Sequence, residues 1–261
     1  MTVLLLFTFI QPYLPGQKSP TKIHIDPETK LPMSNKPPSK EFWFGTNSIG
    51  QDLWSRVWHG SRTSLMIGII VALWEAVIGV IVGTAWGYVK WLDRPLTEIY
   101  NVLNNIPNTI IMILMTYILR PSLSTMIIAI CITSWIGMAR FVRNLTVIIR
   151  DREYNLASRC LGTPTWRIIT KNLLPYLVSV IVLSTALSIA STIGYEVFLT
   201  YIGLGLPVSI PSLGNLINEG RMLMMIPSQR YQLIFPSIIV SIITISFYVM
   251  GNVFADSADP K

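Results

Sequence analysis

Hydrophobic positions in this chain fall into long blocks separated by short polar stretches. Residues 65–89, 99–119, 123–139, 173–206 and 233–254 are predominantly apolar, and each approaches or exceeds the roughly 20 residues that a helix needs to cross a hydrocarbon core. A membrane barrel would instead alternate apolar and polar residues in segments of about 10. These blocks do not alternate, so the pattern predicts an all-α integral membrane protein, a polytopic helix bundle with five complete spans. Residues 1–10 are apolar but too short to cross, and they lack the basic start and small-residue cleavage site of a signal peptide. They read as the remnant of a truncated first span, a native start at Met1 being the alternative.

Polar positions inside the blocks refine this picture. Gly79, Gly83 and Gly87 are spaced by four, which places them on one helix face and lets a second helix approach closely. Glu75 stands in mid-span and Glu196 interrupts the fourth block. An ionisable group at that depth is costly and faces a bundle or a water-filled path; the plainer reading of Glu75 is a protonated or hydrogen-bonded side chain. Asn104, Asn105 and Asn108 crowd around Pro107, a polarity suited to a lumen or another helix. The stretch 11–60 is polar and proline-rich and predicts a solvent-exposed loop, ending in an amphipathic lead-in where Trp43, Trp54 and Trp58 suit a membrane interface. Residues 207–230 read as a second polar connection.

Composition agrees with the class. Of 261 residues, 51% are hydrophobic and 13% charged, against about 25% charged in soluble domains; the mean hydropathy is +0.53. The net charge of +7 lies in the connections, without the basic and aromatic groove of a nucleic-acid binder, so no nucleic acid is implied. His24 and His59 both precede the first complete span, and neither has a ligand cluster, so no metal site is predicted. The blocks carry no histidine or paired aspartates for intramembrane proteolysis. The chain also lacks the phosphate-cradling G-x4-G-K-[ST] pattern and is not read as an enzyme. Cys131 lies in an apolar block and Cys160 in a charged segment, which argues against a disulfide.

That charged segment, EYNLASRCLGTPTWRIITKNLLP at 153–175, is the feature the apolar pattern does not explain. Residues 153–161 predict a short helix with Leu156, Cys160 and Leu161 on one side, stopped by Gly162. Thr163 then caps a second helix with Pro164 at its first position. That helix shows Trp166, Ile169 and Leu173 on one face, and Pro175 begins the return into the membrane. A knob of this kind suits either a protein partner or lipid headgroups. Basic residues divide almost evenly between the two sides, so charge leaves the orientation open.

At these residues the sequence resembles the permease subunits of ATP-binding-cassette importers, specifically the oligopeptide and dipeptide class. Their pattern E-A-A-x3-G-x9-I-x-L-P is matched by Ala157, Gly162, Leu174 and Pro175, while Leu156, Ser158 and Asn172 replace a glutamate, an alanine and an isoleucine. FGTNSIGQDLWSRVWHGSRTSL at 44–65 resembles the stretch before the class's second span. GYEVFLTYIGLGLPVSIPSLGNLI at 194–217 resembles its Glu-containing segment, with Glu196, Gly203, Gly205, Pro211, Gly214 and Asn215 in register. Phe235-Pro236 and the closing GNVFADSADPK complete a resemblance that covers residues 42–261.

The resemblance implies a type I importer permease. Residues 1–10 would be the first-span remnant, 11–61 an extracellular loop, 62–255 the permease core with a cytoplasmic coupling segment at 150–172, and 256–261 a cytoplasmic tail in the cell membrane of a prokaryote. It implies that Glu153, Ala157, Ser158, Arg159, Gly162, Trp166, Arg167 and Pro175 form the contact with an ATPase, Arg159 and Arg167 among its rim charges. It also implies a second homologous permease, two ATPase subunits that hold ATP and Mg, an extracellular peptide-binding protein, peptides and membrane lipid as partners. No cofactor is expected in this chain. An ion-coupled transporter or channel working through Glu75 or Glu196 is the alternative.

Overall fold

The computed structural model describes residues 2–258 and is mainly helical within its apolar blocks. In chain order the helices are α1 (Thr2–Ile10), α2 (Leu53–Tyr88), α3 (Lys90–Asn104), α4 (Asn108–Leu119), α5 (Leu123–Arg150), α6 (Glu153–Cys160), α7 (Thr165–Ile168), α8 (Leu174–Tyr201), α9 (Leu213–Met222) and α10 (Tyr231–Ala258). Four continuous helices are long and apolar enough to cross a membrane, and the count reaches five when the bent pair α3 and α4 is taken as one span.

Several boundaries differ from the apolar pattern, each for a local reason. The first long helix begins at Leu53, not at 65, because Asp52 Oδ2 accepts from the Ser55 amide at 2.9 Å and its hydroxyl at 2.6 Å, capping the N-terminus inside the expected loop. The block 99–119 is not one straight span. Lys90–Asn104 and Asn108–Leu119 meet at 74° around Pro107, which has no N–H to donate and forces Ile106 out of the helical region. Helix α5 runs on to Arg150, so Arg140, Arg143 and Arg150 belong to it and do not follow it. Glu196 and Gly194 do not interrupt α8, which ends at Tyr201 before a turn at Gly203 (φ +81°). The polar connection 207–230 contains the packed helix α9, and α10 extends to Ala258, into the expected tail. The last three residues of that tail lie outside the described residues.

The chain folds as two compact units, and α2, α4, α5, α8 and α10 contribute to both. The first comprises Met1–Gly68, Thr116–Met126 and Ala190–Ser246. Its long loop is ordered by three isolated bridges, Ile23 with Gln51, Ile25 with Pro32 and Thr46 with Asp52. The end of this loop, expected to face solvent, instead buries Phe42, Thr46, Asn47, Gln51 and Asp52. Rings pin it down: Trp54 packs edge-on against Phe7, Trp43, Phe44 and Trp58, and Phe44 stacks on Phe235 at 4.0 Å. Tyr231 Oη donates within reach of the Lys36 and Thr46 carbonyls, at 2.9 and 2.8 Å. Helix α9 lies along the start of α2, with Gly60 so close to Ser212 that a Cβ would meet its carbonyl carbon at 2.9 Å. The buried Arg56 pairs with Glu219 at 2.7 Å.

The second unit comprises Ile69–Met115, Ile127–Ile189 and Phe247–Lys261. Its seam is the glycine face of α2: Gly79 meets Met138, Gly83 meets Ala139 and Val142, and Gly87 meets Arg143 and Thr146. Small residues at these positions let the α2 and α5 backbones touch, the main source of helix affinity where lipid is as apolar as the side chains. Arg143 bonds Asp93 at 2.6 Å and Arg150 donates to the Gly87 carbonyl at 2.7 Å, while Arg140 covers the rings of Trp86 and Tyr100. Three arginines at the end of a long helix are thereby partnered.

Candidate functional site

The 153–175 segment is a knob of the second unit. Helix α5 stops at Arg150, and Glu153 opens α6 in its first turn, where the exposed N–H groups favour an acidic residue. Gly162, at φ +77°, closes α6: its amide reaches Arg159 O at 2.9 Å and the Thr163 amide reaches Ser158 O at 3.0 Å, the 5→2 and 6→1 bonds of a Schellman stop. Pro164, and not Thr163, occupies the cap position of α7, and no side-chain bond caps it. Nor is the second helix separate. It continues through a π-helical turn, Ile169–Leu173, into α8. Pro175 lies inside this continuous helix. Its ring would clash with the Lys171 carbonyl four residues back and it offers no N–H, and the wider π turn takes up both defects.

The face that anchors the knob is polar. Asn155 is buried; its Nδ2 donates to Ile149 O at 2.8 Å and its Oδ1 accepts from Asn172 Nδ2 at 2.9 Å. Arg159 turns inward, donating to Arg150 O at 3.0 Å over the ring of Tyr88, so it caps α5 and is not a rim charge. Ile168, Leu173 and Leu177 are buried beneath. The apolar side of α6, Leu156, Cys160 and Leu161, faces outward; Leu161 is 85% exposed and Trp166 66%. Glu153, Ala157, Gly162, Arg167 and Pro175 are exposed too, while Ser158 is half-buried and donates to Tyr154 O at 2.8 Å. Arg150 hydrogen-bonds Asp151 and holds its carboxyl below the usual aspartate range. Asn155 escaped the periodicity because a lone polar residue on a short helix reads as exposed. Its signal was Asn172, polar where the resembled pattern has an isoleucine.

The clasp makes a direct prediction. Asn155→Leu strands the Asn172 amide and the Ile149 carbonyl, at a cost of about 1–3 kcal/mol, and should speed amide exchange across 153–172 while the spans stay protected. Adding Asn172→Ile removes the second partner and should restore much of the protection. Unchanged exchange in the single variant would show that the clasp holds nothing.

The remaining polar candidates divide between the two units. Glu75 accepts from the Ser188 hydroxyl within the second unit. Asn104, Asn105 and Asn108 are exposed at the α3–α4 bend, where Asn105 donates to Asn101 O at 2.7 Å. Glu196 belongs to the first unit, wholly buried at the N-terminus of α9, where it accepts from Ser64 Oγ at 2.8 Å and from the Gly214 amide at 3.2 Å. At the far end of α9, burial pushes the Glu219 carboxyl above its ordinary range against the opposing pull of Arg56. Among the described residues no group of three or more His, Cys, Asp or Glu is placed to hold a metal.

Long apolar helices, a small-residue seam and a knob with a glycine stop define a multi-pass helical membrane protein. Residues 75–261 match the family model of the binding-protein-dependent transport system inner membrane component, and the chain belongs to that family. It is 43% identical over 224 residues, 86% of this chain and 72% of the relative, to the oligopeptide transport system permease protein AmiD of Streptococcus pneumoniae. It is 36% identical over 259 residues, 99% of this chain and 80% of the relative, to the dipeptide transport system permease protein DppC of Bacillus subtilis. In fold it is similar to a chain of the inward-facing MetNI methionine transporter, with a TM-score of 0.59 at 20% identity, covering 77% of this chain and 95% of that one. The protein is therefore an integral, multi-pass component of the bacterial plasma membrane.

Proposed function

We propose that this chain is one permease subunit of an ATP-driven importer of oligopeptides or dipeptides, pairing with a second homologous permease. The observation that carries the reading is the 43% identity to an oligopeptide permease across 86% of the chain, with a knob whose apolar residues face out. Two ATPase subunits bind ATP and Mg and supply the hydrolysis. The knob docks in a groove on one of them as a helix-in-groove contact, and closure of the ATPase pair rocks the spans between outward-open and inward-open states. Residues 150–172 are then cytoplasmic and 11–61 extracellular. The 11–61 and 207–230 connections receive the extracellular binding protein, which selects the peptide.

Leu161 and Trp166 are the anchors of the ATPase contact in this reading, together with Leu156 where a glutamate is usual. Large exposed apolar groups carry most of the energy at such contacts, whereas exposed charges such as Arg167 add about 0–1 kcal/mol. The ion-coupled alternative is disfavoured because the relatives that match most of the chain are oligopeptide and dipeptide transport system permeases.

Reconstitution tests the function. Liposomes holding the permease pair and the two ATPases should accumulate peptide when supplied with ATP and loaded binding protein. Accumulation by the permeases alone, driven by an ion gradient, would overturn the reading.

A further inference from the structure

Helix α9 begins deep in the first unit, and the three backbone N–H groups of its first turn all find side-chain acceptors. The Leu213 amide donates to Ser64 Oγ at 3.1 Å, Gly214 to Glu196 Oε1 at 3.2 Å, and Asn215 to Ser212 Oγ at 3.1 Å. Ser64 Oγ in turn donates to Glu196 Oε2 at 2.8 Å. These contacts of Glu196, which is 0% exposed, are all donors. A carboxyl group is well matched to such a set, because it accepts at both oxygens and faces the positive end of a helix. Close approach is built in as well: a Cβ on Gly214 would lie 2.5 Å from Glu196 Oε1 and 2.8 Å from Thr200 Oγ1, and Gly205 is closed against Thr200 in the same way. Asn215 ties the preceding loop, donating to Pro207 O at 3.0 Å and Ile210 O at 2.9 Å.

The geometry points to Glu196 as a positioning residue: its carboxylate, relayed through Ser64, fixes the start of α9 on α2 and α8. Nothing here gives it a pathway role; it sets the 207–230 connection as a surface. The opposite end of α9 is held by Arg56 and Glu219, and beyond it Met222, Met224, Met225 and Ile226 are exposed. A helix held at both ends presents that apolar ridge in one place. Its functional consequence rests on the importer reading, in which the ridge meets the peptide-loaded binding protein.

Glu196→Gln keeps the volume but turns one acceptor into a donor that confronts another donor. In the assembled importer it should speed amide exchange at residues 213–215 by about tenfold or more, with exchange in the 153–172 knob unmoved. It should raise KM for the loaded binding protein by about fivefold while kcat changes less than twofold. Ser64→Ala should shift both readouts the same way, and the double variant should be no worse than the worse single, since both break one network. If Glu196→Gln fails to insert, Ser64→Ala and Gly214→Ala carry the test. Unchanged exchange at 213–215 overturns the proposal, as do additive effects or a fall in kcat at constant KM. Uptake driven by a proton gradient without ATP and lost in Glu196→Gln would make Glu196 a proton carrier and overturn it equally. A wild-type complex that shows no ATP-driven uptake sinks the importer reading instead, and the exchange measurement then decides the positioning role alone.

Discussion

Gly83→Val should prevent recovery of a folded permease from membranes. The first carbon of the new side chain would fall on the Ala139 carbonyl oxygen and lie 2.8 Å from Val142 Cβ. A backbone oxygen cannot rotate away, so α2 and α5 must separate. Separation also loosens the flanking contacts of Gly79 and Gly87, where a Cβ on Gly87 would lie 2.7 Å from the Arg143 carbonyl oxygen. Overpacking of this kind costs about 1–3 kcal/mol or more at a single site, and the ion pair of Arg143 with Asp93 beside it depends on the same approach. Gly137 is the internal control, because nothing lies within 4 Å of its Cβ position. Gly137→Ala should be neutral or gain up to about 1 kcal/mol from helix propensity. Thermal unfolding in detergent, read by the monodisperse fraction, separates the two. A Gly83→Val protein as stable as Gly137→Ala would show that the seam is not close-packed.

Gly162→Trp should give the second large effect, in transport and not in folding. Among the described residues, leaving out its two chain neighbours, nothing lies within 4 Å of a Cβ at Gly162, so a side chain leaves the backbone into open space. The positive φ makes any L-residue pay about 1–2 kcal/mol, a local strain at the tip of an exposed turn. The bulk is added next to the exposed Leu161, on the surface assigned to the ATPase. Insertion and thermal stability should stay near wild type, while uptake falls by about thirtyfold or more, the scale of a lost interface anchor, and ATP hydrolysis no longer tracks transport. Gly162→Ala carries the strain without the bulk and should keep most of the uptake. Normal uptake by Gly162→Trp would remove the knob from the mechanism.

The span pattern, the glycine seam and the knob were legible because each follows from local sequence: uniform apolarity, a spacing of four, and a glycine between two short amphipathic stretches. What could not be read was decided by particular partners, some near and some far along the chain. Leu53 starts α2 because of Asp52, a short-range signal hidden in a loop-like context. Helix α9 was hidden within a polar connection because the backbone amides that open it are answered by Ser64 on α2 and Glu196 on α8. Arg159 looked like a rim charge until the end of α5 supplied a carbonyl for it. Asn155 and Asn172 each weaken the apolar pattern alone and make sense only as a pair. The motif at 194–217 was recognisable as a string, and the fold gives its letters reasons: a left-handed turn at Gly203, close approach at Gly205 and Gly214, a cap at Ser212 and a loop tie at Asn215.

The central claim is that the knob is where an ATPase grips this permease. A photo-crosslinking residue at position 161, in a Cys160→Ser background and the intact transporter, tests it most directly. The account predicts a crosslink to an ATPase subunit that is lost when the same probe is moved to the buried position 168. Crosslinking from 161 to lipid alone, with the ATPase untouched, would contradict it.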